Sequence, residues 1–442
     1  MSVTDHTEAT AEPADTASKE VTVTDSQCSH QYTSLDTQKQ SALIRPLDSP
    51  FGWIPTLAST VNYMFIFGAS NSYGVFSTYY LNVKFPETSA ATLSWIGSLI
   101  TTSMFCLNIF TGALADKKGY RLSAFIGTTI CTLAYMLASF STKVWQLMLT
   151  QGVLFGIGAS FLLAPTNSLA AMWFDKHRGL ATGISFSGSS IGGLWFTVAT
   201  QAIMDRLGAE WALRVLGILT FFVTGLMNLL YFQRVPPTPR KRIIEYQVGR
   251  RLTFWLIALE LFTAYVGYWA LVFYIGTTAK QLGGSLQDGA NLLVVLNACN
   301  VVGRILTGFI ADRIGAIDTL VLSLVLTVAI EMPLWMTAKG MAPLYVLCAL
   351  YGLLGSSFIS LNPVIVATYF KDNPLSSIMG MTNMFSGLGG FAGSLSQGAI
   401  FDKYDHRSRL TNTIIFSSMF ILLAAIVSLV LRTHVKKKIP VL

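Results

Sequence analysis

Charge is scarce in this chain. Asp, Glu, Lys and Arg make up 12% of its 442 residues, about half the share found in soluble domains. A large soluble protein with buried helices is excluded, because few segments show the polar faces at a 3.6-residue period that such helices need. Cysteine is scarce as well. Cys28, Cys106, Cys131, Cys299 and Cys348 lie in no CxxC pair, and they imply neither a disulfide framework nor a metal site. The sequence lacks a GxxxxGK[ST] loop and an HExxH motif, which argues against ATP-driven pumping and against zinc-protease chemistry. No N-x-[ST] sequon occurs, so nothing points to N-glycosylation. No cofactor is called for, and no clustered catalytic constellation points to an enzyme.

Apolar residues are abundant, at 52% of the chain. They fall in runs of about twenty, the length that spans a bilayer core. The runs cover approximately 53–80, 90–114, 121–141, 145–172, 179–203 and 212–233, then 253–279, 288–311, 317–338, 342–369, 377–400 and 410–432. They predict an all-α membrane protein with twelve transmembrane helices. The formal charge of +8 resides in short loops between the runs, which suits the positive-inside rule and not a phosphate-binding face. The expected surroundings are therefore the lipid bilayer, with nucleic acid excluded as a partner. Residues 1–47 are rich in Ser, Thr, Asp and Glu, lack a basic-then-apolar signal peptide and read as a disordered cytoplasmic tail.

Loop charge sets the expected orientation. Lys117, Lys118 and Arg121, then Lys176 and Arg178, then the stretch from Arg234 to Arg251, and finally Lys436 to Lys438 fall on one side. That side is read as cytoplasmic, with both termini on it. The Pro-rich run from Arg234 to Arg242 breaks any helix. The expected organisation is an N-terminal six-helix bundle over 48–234, a central loop over 235–252, a C-terminal bundle over 253–433 and a basic tail over 434–442.

The two bundles repeat one another. Gly112-Ala113-Leu114-Ala115-Asp116-Lys117-Lys118-Gly119 recurs 196 residues later as Gly308-Phe309-Ile310-Ala311-Asp312-Arg313-Ile314-Gly315. At nearly the same offset Gly156 answers to Gly352, Phe174 to Phe370, Gly192-Gly193 to Gly389-Gly390 and Asp205 to Asp402. Six helices separate the copies, so the halves form two parallel six-helix repeats.

The stretch from Gly112 to Arg121 resembles the loop signature of the major facilitator superfamily. More narrowly, Asp48-Ser49-Pro50-Phe51-Gly52-Trp53 and the run from Trp173 through Arg178 to Gly192 resemble the fungal branch of the monocarboxylate transporter family. The resemblance covers about residues 48–432 and implies the major facilitator fold, alternating access and a substrate carried with a proton. It also implies that the loop after helix two holds one face closed, which makes Asp116, Lys117, Arg121, Asp312 and Arg313 candidate gating residues. An acid at a helix end can meet the N-terminal dipole of a neighbouring helix. In that family an Asp one turn before an Arg in helix eight carries substrate and proton. Arg304 matches the Arg, whereas Asn300 occupies the acid position. The family's first-helix Lys falls near Asn71 here.

Arg304 is the leading substrate ligand on its own chemistry. It lies eight residues before Asp312, roughly 12 Å inside the membrane end, where a guanidinium must face a cavity or partner and fits a carboxylate bidentately. Glu260, at a similar depth on helix seven, is the expected partner and the expected proton-coupling acid. Asn300, Asn71, Tyr265, Tyr268 and Asn297 complete the expected pathway. Further mid-helix polar residues are Asn62, Tyr73, Asn167, Tyr274, Asn362 and Asn383, and several aromatics on helix seven suit a ring-bearing solute. Glu331 has no identified partner. The Gly residues of helices five and eleven, Gly183, Gly188 and Gly192 with Gly380, Gly389 and Gly393, are read chiefly as packing contacts.

The expected function is secondary active transport of a small organic anion, a monocarboxylate with a proton, by a monomer in the plasma membrane in preference to the vacuole. Two readings stand beside it. One is a transporter of a larger metabolite, for riboflavin uptake or secondary-metabolite export. The other is a non-transporting nutrient receptor, which would be expected to carry a long folded cytoplasmic domain.

Overall fold

Twelve long helical rods follow one another among the described residues. They are α1 (Trp53–Tyr79), α2 (Ala90–Cys106 with Asn108–Lys118), α3 (Tyr120–Ser139), α4 (Val144–Trp173), α5 (Arg178–Leu207) and α6 (Ala209–Leu229), then α7 (Leu252–Gln281), α8 (Leu286–Ile314), α9 (Ala316–Thr337), α10 (Met341–Tyr369), α11 (Leu375–Lys403) and α12 (Thr411–Lys438). The structure is a computed structural model and describes residues 45–235, 246–371, 373–405 and 410–438. Residues Leu47–Leu442 form one compact unit. The expected tail over 1–47 and the Pro-rich part of the central loop lie almost wholly outside the described residues. The expected basic tail begins inside α12, which continues to Lys438.

Eight of these helices are long and apolar enough to cross a membrane, or nine if the two segments of α2, bent by 44°, count as one span. The twelve-crossing reading also needs α1, α5 and α11, which have 27, 30 and 29 residues but are rich in Gly, Ser and Thr. Their composition follows their position. They pack against protein, α1 on α5, α5 also on α8, and α11 on α7 and α2, where small residues bring backbones together. A Cβ on Gly188 or Gly192 of α5 would come within 3.0 Å of the α1 carbonyls of Thr60 and Met64, and one on Gly389 or Gly393 of α11 within 3.0 Å of the α7 carbonyls of Phe262 and Val266.

The repeat seen in the sequence is a repeat of local conformation. Gly119 and Gly315 join α2 to α3 and α8 to α9 with φ of 100° and 99°, a region that L side chains adopt at a cost. One residue thus turns the chain at each place. Besides α2, two rods are interrupted: α4 by a π turn over Met148–Leu154, and α10 between Leu354 and Ser357.

The start of α1 is fastened to the α4–α5 turn. Asp48, at φ 58°, donates its N–H to the Trp173 carbonyl at 3.0 Å. Its carboxylate accepts from the backbone N–H groups of Asp175 and Lys176 at 3.0 and 3.1 Å. Phe51 packs on Trp173 and Phe232 (ring centroids 5.7 and 5.0 Å), and the Trp173 indole donates to the Phe232 carbonyl at 2.8 Å. Asp48→Ala removes the acceptor for two turn amides and is expected to lower stability by about 1–2 kcal/mol. Thermal unfolding in detergent measures this, and an unmoved midpoint would show that the aromatic contacts hold the turn without it.

Candidate functional site

Neither α5 nor α11 has a side-chain cap of its own at its start. α5 follows His177 and α11 follows Pro374, and neither residue supplies one. The first N–H groups of a helix need acceptors, and here the acceptors come from the opposite half. Asp312 of α8 accepts from the N–H groups of Gly179 and Leu180 at 2.6 and 2.9 Å. Asp116 of α2 accepts from the Ser377 N–H and hydroxyl of α11, both at 2.7 Å. Each carboxylate also meets the positive end of a helix dipole. The two halves are thereby clasped twice, by symmetry-related residues, at the end where α2 turns into α3 and α8 into α9.

The basic residues of the same loops behave differently. Arg121 stays in its own half, donating to the Tyr231 carbonyl at 3.2 Å and stacking 4.4 Å over Phe232. Arg313 covers Phe309 of its own helix at 4.3 Å, and Lys117 is exposed. Arg178, read from sequence only as a topology signal, does cross: it pairs with Asp175 at 2.8 Å and donates to Thr368 of α10 at 3.1 Å.

The clasps have a direct readout. Asp116→Asn and Asp312→Asn remove the charge that holds these amides, a term of about 1.5–3 kcal/mol. Exchange of the Ser377 amide in the first variant, and of the Gly179 and Leu180 amides in the second, is expected to rise at least about tenfold by hydrogen–deuterium exchange. Unchanged exchange at those amides would show that the clasps do not hold this end shut.

Deeper along α8, Arg304 is buried at the contact between halves. Its Nη1 donates to the Phe186 carbonyl of α5 at 2.7 Å and also bonds Ser189. Its Nε donates to Ser356 at 3.2 Å, and Ser356 donates to Asn300 at 2.7 Å. Ser356 is available because α10 is interrupted there. Tyr268 lies beside both Asn300 and Arg304, and Tyr63 and Tyr265 face the guanidinium. No carboxylate among the described residues pairs with Arg304.

Its repeat partner, 196 residues earlier, is Asn108. Asn108 also sits at the contact between halves, accepting from Asn383 of α11 at 3.0 Å and donating to the Ser160 carbonyl at 3.1 Å. The scaffold is symmetric there, but the charge is not.

A narrow cavity lies between the halves, beside this site. Phe67, Phe105, Phe186 and Tyr265 supply aromatic walls, and Asn167, Asn362 and Asn383 supply amides. The Asn362 Oδ1 has no partner. Asn71 is exposed and Asn297 half-buried. Both flank Gly193, where an added Cβ would stand 2.9 Å from Asn71 Nδ2 and 3.6 Å from Asn297 Oδ1. They are about 10 Å from Arg304 along α8, on the side away from the clasps.

The expected Glu260–Arg304 pair is not formed. Glu260 is buried, and among the described residues its Oε1 has no partner and no ion pair reaches it. At about 100° per residue, Glu260 points roughly 140° away from Tyr265 and 100° away from Leu261 around α7, the two residues that α7 supplies to the cavity wall. Glu331 does gain a partner, Ser417 of α12, at 2.7 Å.

The sequence pattern described as Major Facilitator Superfamily matches residues 55–394. The chain belongs to the Major Facilitator Superfamily. Among curated fungal relatives, MFS-type transporter 1 of Ophiocordyceps sp. (strain BCC 1869) is 32% identical over 303 residues, which covers 68% of each chain. The Agnestins efflux protein of Paecilomyces divaricatus is 29% identical over 370 residues, 84% of each chain. The fold matches the human organic anion transporter MFSD10 (TETRAN), with a TM-score of 0.69 at 14% identity over 86% of this chain and all of that one. It also matches the E. coli fucose:proton symporter, with a TM-score of 0.66 at 14% identity over 86% of this chain and 98% of that one. This major facilitator protein is thus a multi-pass membrane transporter and not an enzyme.

Proposed function

We propose that this transporter moves a ring-bearing organic anion by alternating access, with Arg304 as the cargo's cationic anchor. The observation that carries the reading is a buried guanidinium at the contact between halves with no carboxylate partner. An uncompensated buried charge is costly, and a cargo carboxylate would complete the site through charge-assisted bonds. The same Arg304 bonds the opposite half through Phe186 and Ser189. Cargo that draws it away would therefore loosen a contact between halves, which links binding to rocking.

The aromatic walls favour ring-bearing acids over lactate-sized ones, and a fungal relative named as an efflux protein supports outward movement. Asp116, Asp312 and Arg178 serve as gates, with Lys117, Arg121 and Arg313 shaping the clasped face. That face is cytoplasmic, together with both termini, so the clasped state opens outward. The membrane is the plasma membrane and the working unit a monomer. Asn300, Tyr265 and Tyr268 surround the cargo carboxylate beside Arg304, and Asn71 and Asn297 form the entrance. Glu260, whose Oε1 lacks a partner, takes up a proton during the cycle.

Proteoliposomes loaded in turn with salicylate, lactate and riboflavin test the cargo class. Saturable salicylate movement that competes poorly with lactate supports the reading. Lactate movement alone would favour the smaller monocarboxylate. Riboflavin movement with no acid transported would overturn the assignment of Arg304.

A further inference from the structure

The interior of the C-terminal half holds an acid that the cargo site does not use. Glu331 of α9 is fully buried, and its Oε2 has no hydrogen-bond partner. Ser417 Oγ of α12 lies 2.7 Å from Glu331 Oε1 and 3.0 Å from the Gly267 carbonyl oxygen of α7. A hydroxyl has one proton to donate, so Ser417 cannot serve an ionised Glu331 and the Gly267 carbonyl together. Both short contacts are satisfied if the acid donates to Ser417 and Ser417 donates to Gly267. A neutral acid also lowers the cost of a buried Oε2 with no protein partner.

We infer that Glu331 is a proton-binding site, which in the clasped conformation holds its proton on Oε1 and donates it to Ser417. The titratable group facing it is Tyr351 of α10, whose hydroxyl is turned toward the Tyr268 carbonyl at 3.2 Å. α12 presents Ser417 and α7 presents backbone. Among the described residues of these helices and of α8, no cation pairs with Glu331. The site is confined to one half, because the positions 196 residues before Glu331 and Ser417 are Tyr135 and Phe221. It is therefore not a requirement of the repeated fold.

The proton's effect reaches the cargo cavity through α7. Gly267 belongs to the helix that supplies Leu261 and Tyr265 to the cavity wall. If the proton leaves, Ser417 must turn to the carboxylate, the link to Gly267 breaks and Oε2 requires water. Glu331 is six residues from the end of α9 at Thr337, about 9 Å, on the side away from the clasps. Deprotonation thus favours parting of α7, α9 and α12 on that side. This site is independent of the cargo, and its failure would leave the role of Arg304 untouched.

Infrared spectroscopy of the full-length protein in nanodiscs near neutral pH tests the assignment. The carboxylic-acid C=O band is expected to lose a component in Glu331→Gln. In Ser417→Ala, a smaller change that keeps the acid, the same component is expected to move to higher frequency as its hydrogen bond is lost. If Glu331→Gln instead removes a carboxylate stretch, or if Ser417→Ala leaves the acid band unmoved, the proton site is overturned. A band lost only in Glu260→Gln would overturn it as well.

Discussion

Arg304→Ala is expected to cut transport of an anionic cargo at least tenfold, mainly through a raised KM, while the protein still folds. Bonds from a charged donor contribute about 1.5–3 kcal/mol, and each 1.4 kcal/mol is about a factor of ten in affinity. Arg304→Lys is expected to restore only part of the loss. An ammonium keeps the charge but cannot reach Phe186, Ser189 and Ser356 with a planar fork and still present two donors to a carboxylate. Counterflow in proteoliposomes, alongside thermal unfolding of each variant, separates lost binding from lost structure. Full activity in the alanine variant would remove Arg304 from the cargo site.

Gly308→Leu is expected to abolish the clasped state. A Cβ at Gly308 would overlap the Gly179 carbonyl, and one at Gly179 would overlap that of Gly308. Both obstacles are backbone, so α5 and α8 would have to part by an ångström or more. The 2.6 and 2.9 Å bonds from Gly179 and Leu180 to Asp312 cannot survive that displacement. Overpacking costs of about 1–3 kcal/mol shift a two-state balance roughly fivefold to more than a hundredfold. Spin labels on the exposed turn at Lys176 and on exposed Arg313 at the end of α8, in a background without native cysteines, should show the distance distribution move to longer values. A distribution unchanged from the parent would mean that the contact is not needed for closure.

Much of this architecture is legible in the sequence, and the reasons are physical. The hydrophobic runs give rods within a few residues of those seen, because bilayer thickness fixes helix length. The copied Gly-x-x-x-Asp stretches point to a repeated gate, and the structure places Asp116 and Asp312 on helix N-termini as the dipole argument suggests. What the sequence conceals is which side chains meet across halves. Ser189 and Ser356 look like ordinary helix serines. Only the break in α10 and the approach of α5 bring them to Arg304. Glu260 matches Arg304 in depth, but depth along a helix says little about direction around it, and the two do not pair. Arg178 could have been suspected, since it opens the helix that receives the opposite half's carboxylate. Glu331 could be flagged as a buried acid, but its partner Ser417 lies 86 residues away with no motif to join them.

The pairing of Arg304 with Asn108 across the repeat gives the transport path a handedness that its scaffold lacks. A twofold frame with equal anchors would accept a passenger either way round. In the proposed binding mode the acid end has one berth, in the C-terminal half, and the rings lie toward Phe67, Phe105 and Phe186 of the other. In that mode the passenger would stay moored to one wall while the opposite wall swings past it. Chemical variety in the cargo is then tolerated at the swinging wall and refused at the mooring.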